Sequence, residues 1–151
     1  MPKRSLVFLA GLLATPTVLH AQPNYKWSTN LPGRAIEYGV PDTDDRSFRI
    51  DCAEHGGLEI SAPSPLDLSG GAGTKVVFEA QGAKRMYLAN IFNGDGPQFV
   101  TAVSYADPTI AALLNGYDVR VNLGGYQWTV PGARAARVLR PLIAACRHKH
   151  G

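Results

Sequence analysis

The run Phe48-Arg49-Ile50-Asp51-Cys52, the pivot His55-Gly56-Gly57 and the return Leu58-Glu59-Ile60 decide the architecture. In both arms apolar side chains alternate with charged ones. Successive side chains of a strand point to opposite faces, so a period of two marks half-buried strands, with Phe48, Ile50, Cys52, Leu58 and Ile60 facing inward. Two such arms joined through glycine form a β-hairpin.

Downstream, residues 61–73 are rich in Pro, Ser and Gly and read as a loop. Three further strands are predicted at Lys75–Ala80, Arg85–Phe92 and Gln98–Tyr105, with turns at Gln81-Gly82 and Asn93-Gly94-Asp95-Gly96. A short helix follows. Asp107 can cap it, Pro108 suits its first position, and Gly116 can close it in the left-handed conformation. Strands at Tyr117–Leu123 and Tyr126–Val130 flank Gly124-Gly125. After Pro131-Gly132, residues Ala135, Val138, Leu139, Leu142, Ile143 and Cys146 fall on one side of a helix, opposite Arg134, Arg137 and Arg140. Pro141 removes a backbone donor and is expected to kink this helix.

Upstream, residues 22–47 read as an irregular lead-in broken by Pro23, Pro32, Gly33, Gly39 and Pro41, with a turn at Asp42-Thr43-Asp44-Asp45. Trp27, Ile36, Tyr38 and Val40 are expected to pack it onto the body. The predicted fold is α+β and mainly antiparallel β. It is a sandwich-like or barrel-like sheet of about seven strands, with one short helix and a C-terminal amphipathic helix packed on it. Residues 48–147 form one domain, and residues 148–151 a basic tail.

The first 21 residues have the three-part layout of a secretory signal. Lys3 and Arg4 are the positive region, Leu6–Ala14 the apolar region, and Leu19-His20-Ala21 the cleavage site, so the mature chain starts at or near Gln22. A membrane anchor is the rival reading. A spanning helix needs about 20 apolar residues, and Pro16 and His20 cut this run short. No cysteine lies near the cut, which argues against a lipid-anchored form. No later stretch is apolar enough to span a bilayer as a helix. The expected location is periplasmic or secreted.

The formal charge of +3 rests on 15 Lys and Arg against 12 Asp and Glu. Lys3 and Arg4 leave with the signal, so the mature balance is 13 against 12, or +1. That is no basis for a nucleic-acid partner.

Cys52 and Cys146 are the two cysteines of the chain. In an oxidising compartment an even number pairs, and the loop closed would be long. A catalytic thiol or two buried free thiols are the alternatives, but a cysteine nucleophile needs a positioned His and no local signature supplies one. Strand period and helix period both turn their cysteine toward the core, which supports a structural bridge pinning the last helix across the sheet.

Asp42, Asp44 and Asp45 lack the spacing of a calcium loop and read as a turn. His148 and His150 could hold Zn²⁺ or Cu²⁺, but a site needs three or four ligands, and a solvated tail is the simpler reading. His55 reads as a turn residue. Ser69-Gly70-Gly71-Ala72-Gly73 lacks the Lys-Ser/Thr of a phosphate-binding loop. No nucleophile elbow, zincin or dinucleotide fingerprint occurs. The expectation is no catalytic residue, no metal and no cofactor. The remaining candidate is the basic face of Arg134, Arg137, Arg140 and Arg147, with Lys149 beyond and no acidic residue after Asp118. It is either a solvated helix face or a docking surface for an acidic partner, anionic glycan or lipid head group.

The order of elements resembles a known group. An Arg49-Ile50-Asp51-Cys52 strand returns as Leu58-Glu59-Ile60. Tyr117-Asp118-Val119-Arg120-Val121 and Trp128-Thr129-Val130-Pro131-Gly132 then lead to an Ala/Leu-rich helix closed by Cys146. Over residues 27–147 this is similar to small exported proteins of Gram-negative bacteria, including the invasion-associated locus B type and accessory proteins of type VI secretion. The segment 33–45 looks closer still to uncharacterised proteobacterial exported proteins. The resemblance implies a β-sandwich-like body with a terminal helix and the Cys52–Cys146 bridge. It carries over no catalytic residue, and residues 61–73 depart from the shorter connection it implies. The leading expectation is a non-enzymatic binding or accessory protein of the envelope. Its partner is unknown, with an envelope protein or an anionic surface as candidates. A small envelope hydrolase, with its site assembled only by the fold, is the alternative, and metal binding by the tail a third.

Overall fold

The computed structural model describes residues 24–31, 33–64, 73–93 and 96–149. The signal segment 1–21, most of the predicted 61–73 loop, Gly94 and Asp95 of the predicted turn, and His150 lie outside the described residues. Nine strands and two helices follow in order: β1 Lys26–Leu31, β2 Ala35–Gly39, β3 Arg46–Cys52, β4 Leu58–Pro63, β5 Thr74–Ala80, β6 Ala83–Asn93, β7 Pro97–Val103, α1 Pro108–Leu114, β8 Val119–Leu123, β9 Tyr126–Val130 and α2 Ala135–Lys149.

The hairpin read from the sequence is β3 and β4, with Ile50 opposite Ile60 and Cys52 opposite Leu58. Phe48, Ile50, Leu58 and Ile60 are fully buried. Gly57 closes the turn at φ +90, where a Cβ would come within 2.8 Å of the Val103 carbonyl oxygen. Gln81 and Gly82 join β5 to β6 with positive φ at both positions, as a two-residue hairpin turn of matching twist requires. Asp107 caps α1 by accepting from the Thr109 N–H at 2.8 Å, with Pro108 at the first helical position.

The nine strands form one antiparallel sheet in the order β1-β2-β3-β4-β7-β6-β5-β8-β9. It curls so that distant strands face each other across the core. Phe48 on β3 meets Phe78 on β5 with ring centroids 6.3 Å apart, and Phe99 on β7 meets Trp128 on β9 at 6.1 Å. α2 packs against β1, β2 and β3, α1 against β5, β6 and β8, and the two helices touch. Ala135, Leu139, Leu142 and Cys146 are the buried face of α2, which continues through Pro141.

About seven strands were expected, and the count is corrected to nine. The two additional strands are β1 and β2, inside the 22–47 segment read as irregular. β2 is paired on both sides, with Ala35, Ile36 and Glu37 all buried, but its alternation covers only Ile36, Glu37 and Tyr38 between Gly33 and Gly39. β4 also extends to Pro63, so the loop after it starts later than position 61. α2 reaches Lys149, so His148 and Lys149 belong to its last turn rather than to a tail.

Cys52 and Cys146 are joined in a disulfide with their Cα atoms 5.3 Å apart. It ties the end of β3 to the last turns of α2. Among the described residues, no helix is long and apolar enough to cross a membrane.

Candidate functional site

The candidate site lies at the seam between β1, one end of the sheet, and the segment that leads from β9, the other end, into α2. Trp27 pairs with Tyr38 across β1 and β2 and packs on both Tyr38 and Phe48. Its indole Nε1–H donates to the Pro131 carbonyl at 2.7 Å, linking β1 to the segment that follows β9. That segment is held closely. Gly132 N–H donates to Asp118 Oδ1 at 3.0 Å, and a Cβ on Gly132 would lie 2.1 Å from the Tyr117 carbonyl oxygen. Arg134 then takes a left-handed φ of 68 before α2 begins.

This path brings the start of α2 beside the edge of β1. The cleft between them, about 580 Å³, is lined by Tyr25, Lys26, Trp27, Tyr38, Arg134 and Arg137 among others. Lys26, Arg134 and Arg137 are exposed. None of the three enters an ion pair with a described residue; the ion pairs fall on Arg46, Arg49, Lys84 and Arg120. The first turn of α2 also lacks an acidic side chain, so the positive end of the helix adds to the local potential.

The aromatic wall is braced. Tyr25 stands edge-on to Tyr38, with centroids 5.7 Å apart, and its hydroxyl donates to Asp45. That hydrogen bond, with burial and the Asp45 charge behind it, pushes the Tyr25 phenol up to about 12. Burial, then the charge of Asp118, raises the Tyr38 phenol as well. Both rings are therefore neutral at physiological pH. An aromatic wall facing uncompensated guanidinium and ammonium groups can take a ligand that combines a flat apolar face with a negative charge.

The predicted basic face is divided by the structure. Arg134 and Arg137 line the cleft, while Arg140 is exposed elsewhere on α2. Arg147 lies over the Tyr105 ring, 5.1 Å from its centroid, in a cation–π contact. His55 is exposed on the β3–β4 turn. Asp42, Asp44 and Asp45 surround a turn in which Thr43 Oγ1 donates to the Val40 carbonyl and accepts from Asp45 N–H. Among the described residues no group of three His, Cys, Asp or Glu side chains could hold a metal ion.

Comparison with protein-family models, curated proteins and solved structures gave no match.

Sequence reasoning missed a second polar cluster, on the outward face of β2, β3 and β4. Glu37 is only 7% exposed, and its Oε1 accepts from Asn30, Arg46 and Arg49 at 2.8, 3.2 and 2.7 Å. Arg49 also grips Asp51 through two hydrogen bonds. Burial pushes the Glu37 carboxyl upward, but Asn30, Arg49 and Arg46 together outweigh it and hold the group below its ordinary value. Glu59 sits opposite Asp51 in the β3–β4 register, and burial followed by the Asp51 charge raises its carboxyl. A shallow cleft of about 550 Å³ over this face is lined by Arg46, Arg49, Asp51, Glu59 and Phe92 among others. The alternating charges Arg49, Asp51 and Glu59 were visible in the sequence. The bond from Arg49 to Glu37 depended on β2, which was not read as a strand.

Proposed function

We propose that this chain is an exported, non-enzymatic binding or accessory protein of the bacterial envelope that holds an anionic partner at the β1–α2 seam. The carrying observation is the set of three cations, Lys26, Arg134 and Arg137, that share one cleft without acidic counterparts among the described residues. Buried or clefted cations without partners favour a ligand that brings the missing charge. The signal-like layout of residues 1–21 and the Cys52–Cys146 bridge support export, because disulfides persist in oxidising compartments. The resemblance to small exported proteins of Gram-negative bacteria points the same way.

The test immobilises the chain from Gln22 onward and passes acidic envelope fractions over it. Anionic material should be retained at low salt, released at high salt, and lost with the double variant Arg134→Asn, Arg137→Gln. Asn tolerates the left-handed φ at position 134, so the fold is preserved. Equal retention by the double variant would remove the seam from the proposal. Expression of the full chain in a Gram-negative host should give a periplasmic or secreted product without residues 1–21; a cytoplasmic, full-length product would refute export.

The β3–β4 face favours a second reading, a small envelope hydrolase. Glu59, with its raised carboxyl, faces the Arg49-bound Asp51 in one cleft, two carboxyl groups set in different surroundings. Hydrolysis of envelope glycans that is abolished by Glu59→Gln supports this reading; no turnover of any envelope fraction excludes it.

A further inference from the structure

We infer that the ligand of the β1–α2 cleft is an acidic saccharide, a sugar ring bearing a carboxylate or phosphate. The inference rests on the binding function proposed above. The ring would stack on the wall of Tyr25, Trp27 and Tyr38, and the acid group would be held by Arg134 and Arg137.

Four observations carry it. The first is size: about 580 Å³ falls within the range of small-ligand sites, roughly 300–1,000 Å³, and suits one to three sugar rings. The second is surface chemistry. A pyranose presents apolar C–H faces and polar edges. The cleft likewise combines aromatic faces with Ser28 and the three cations.

The third is preorganisation. Trp27 is fixed by its bond to the Pro131 carbonyl and by Tyr38, and Tyr25 by Asp45. Rings already held in place lose little freedom on binding, which favours a rigid ring as partner. The fourth is charge. Planar guanidinium groups match the paired oxygens of a carboxylate or phosphate, and neither Arg134 nor Arg137 is neutralised by a described residue.

The same observations disfavour a membrane surface. Polybasic lipid recognition uses about four to eight basic side chains at an open face. Here three line a concave cleft, and Arg147 is engaged with Tyr105. An extended acidic peptide would bind through its backbone to the β1 edge and would leave the ring wall unused.

The experiment titrates the chain from Gln22 onward with defined probes. They are a uronic-acid trisaccharide, a sugar phosphate, the neutral trisaccharide of the same length, inorganic phosphate, a short oligoglutamate, and vesicles containing anionic lipid. Binding is followed by calorimetry and by the two tryptophan indole N–H resonances, which belong to Trp27 and Trp128. At least one acidic sugar should bind at least tenfold more tightly than its neutral counterpart, inorganic phosphate and oligoglutamate. The Trp27 indole signal should move and the Trp128 signal should not. The variant Arg134→Asn, Arg137→Gln should lose at least tenfold, with both indole signals kept as evidence of an intact fold.

Equal binding of the neutral sugar would overturn the inference. So would phosphate binding as tightly as the acidic sugar, preference for oligoglutamate or for vesicles, or no binding of either acidic sugar. If envelope polyanions are retained through Arg134 and Arg137 while both acidic sugars fail, the binding function stands and the saccharide assignment falls. If retention also fails, both fall.

Discussion

Opening the Cys52–Cys146 bridge should cost a large part of the stability of the fold. The two cysteines are 94 positions apart, so the bridge removes a long loop's worth of freedom from the unfolded chain. Loop-closure entropy at that length is worth about 4–5 kcal/mol, less any strain in the native geometry. Two perturbations separate this effect from lost packing. Reduced wild-type protein keeps both sulfurs, whereas Cys52→Ala, Cys146→Ala also empties the fully buried site of Cys146. Serine is avoided there because it would bury a hydroxyl. Urea unfolding is the assay. With a slope of about 2 kcal/mol per molar for a protein of this size, the midpoint of the reduced protein should fall by roughly 2–2.5 M. The slope itself should rise on reduction, because an uncrosslinked unfolded chain exposes more surface. The alanine pair should fall slightly further than reduced wild type. A loss under about 1 kcal/mol on reduction would refute the reasoning, as would two titratable thiols in the unreduced, denatured protein.

Gly132→Ala places a methyl group 2.1 Å from the Tyr117 carbonyl oxygen and 2.4 Å from its carbon. Both are backbone atoms, so thermal unfolding should report a loss of about 2–3 kcal/mol; a change under about 0.5 kcal/mol would mean that the linker yields freely. Glu37→Gln should cost about 1–3 kcal/mol at neutral pH, because it removes a charged acceptor from Asn30, Arg46 and Arg49. The Glu37 carboxyl is held below its ordinary value, so its contribution is complete above the usual carboxylate range and disappears as pH falls through the lowered folded value. The variant should therefore lose stability less steeply than wild type on acidification, and parallel curves would contradict the network. The raised Glu59 acts in the opposite sense: it opposes folding when ionised and is relieved by acid, so Glu59→Gln should be neutral or stabilising near pH 7 in a urea titration. Tyr25 donates from its protonated form, so its contribution is complete below about 10, the ordinary tyrosine value, and is lost as pH rises through about 12. Tyr25→Phe should remove a late-titrating phenol from the absorbance curve; loss instead of a phenol that titrates near 10, the ordinary value, would refute the Asp45 bond.

The elements with one buried face were legible in the sequence. All seven strands read from alternation and turn signals are present, and Asp107 and Pro108 begin α1 where their chemistry places the helix start. The two strands that went unread are the ones whose local signals conflict. Pro32, Gly33, Gly39 and Pro41 argue for loop, while Ile36, Glu37 and Tyr38 keep a period of two that spans too few residues to prevail. The arginines of the cleft were legible, but their companions were not. Trp27 meets Pro131 across 104 positions, and no spacing rule links a ring at one end of a chain to a guanidinium at the other. Arg147 was grouped with the others by charge alone; the placement of Tyr105 after β7 draws it to a different neighbour.

The strand order has a consequence in time as well as in space. Six of the eight pairings join strands adjacent in sequence, and only β4–β7 and β5–β8 reach across intervening elements. A chain threaded through a membrane pore from its N-terminus would therefore assemble β1 to β4 as a meander while the remainder was still in transit. The far edge of β4 would then stand open, offering Leu58–Pro63 to any passing strand until β7 arrived to cover it. Pairing with a stranger during that interval is the natural route by which this fold would fail.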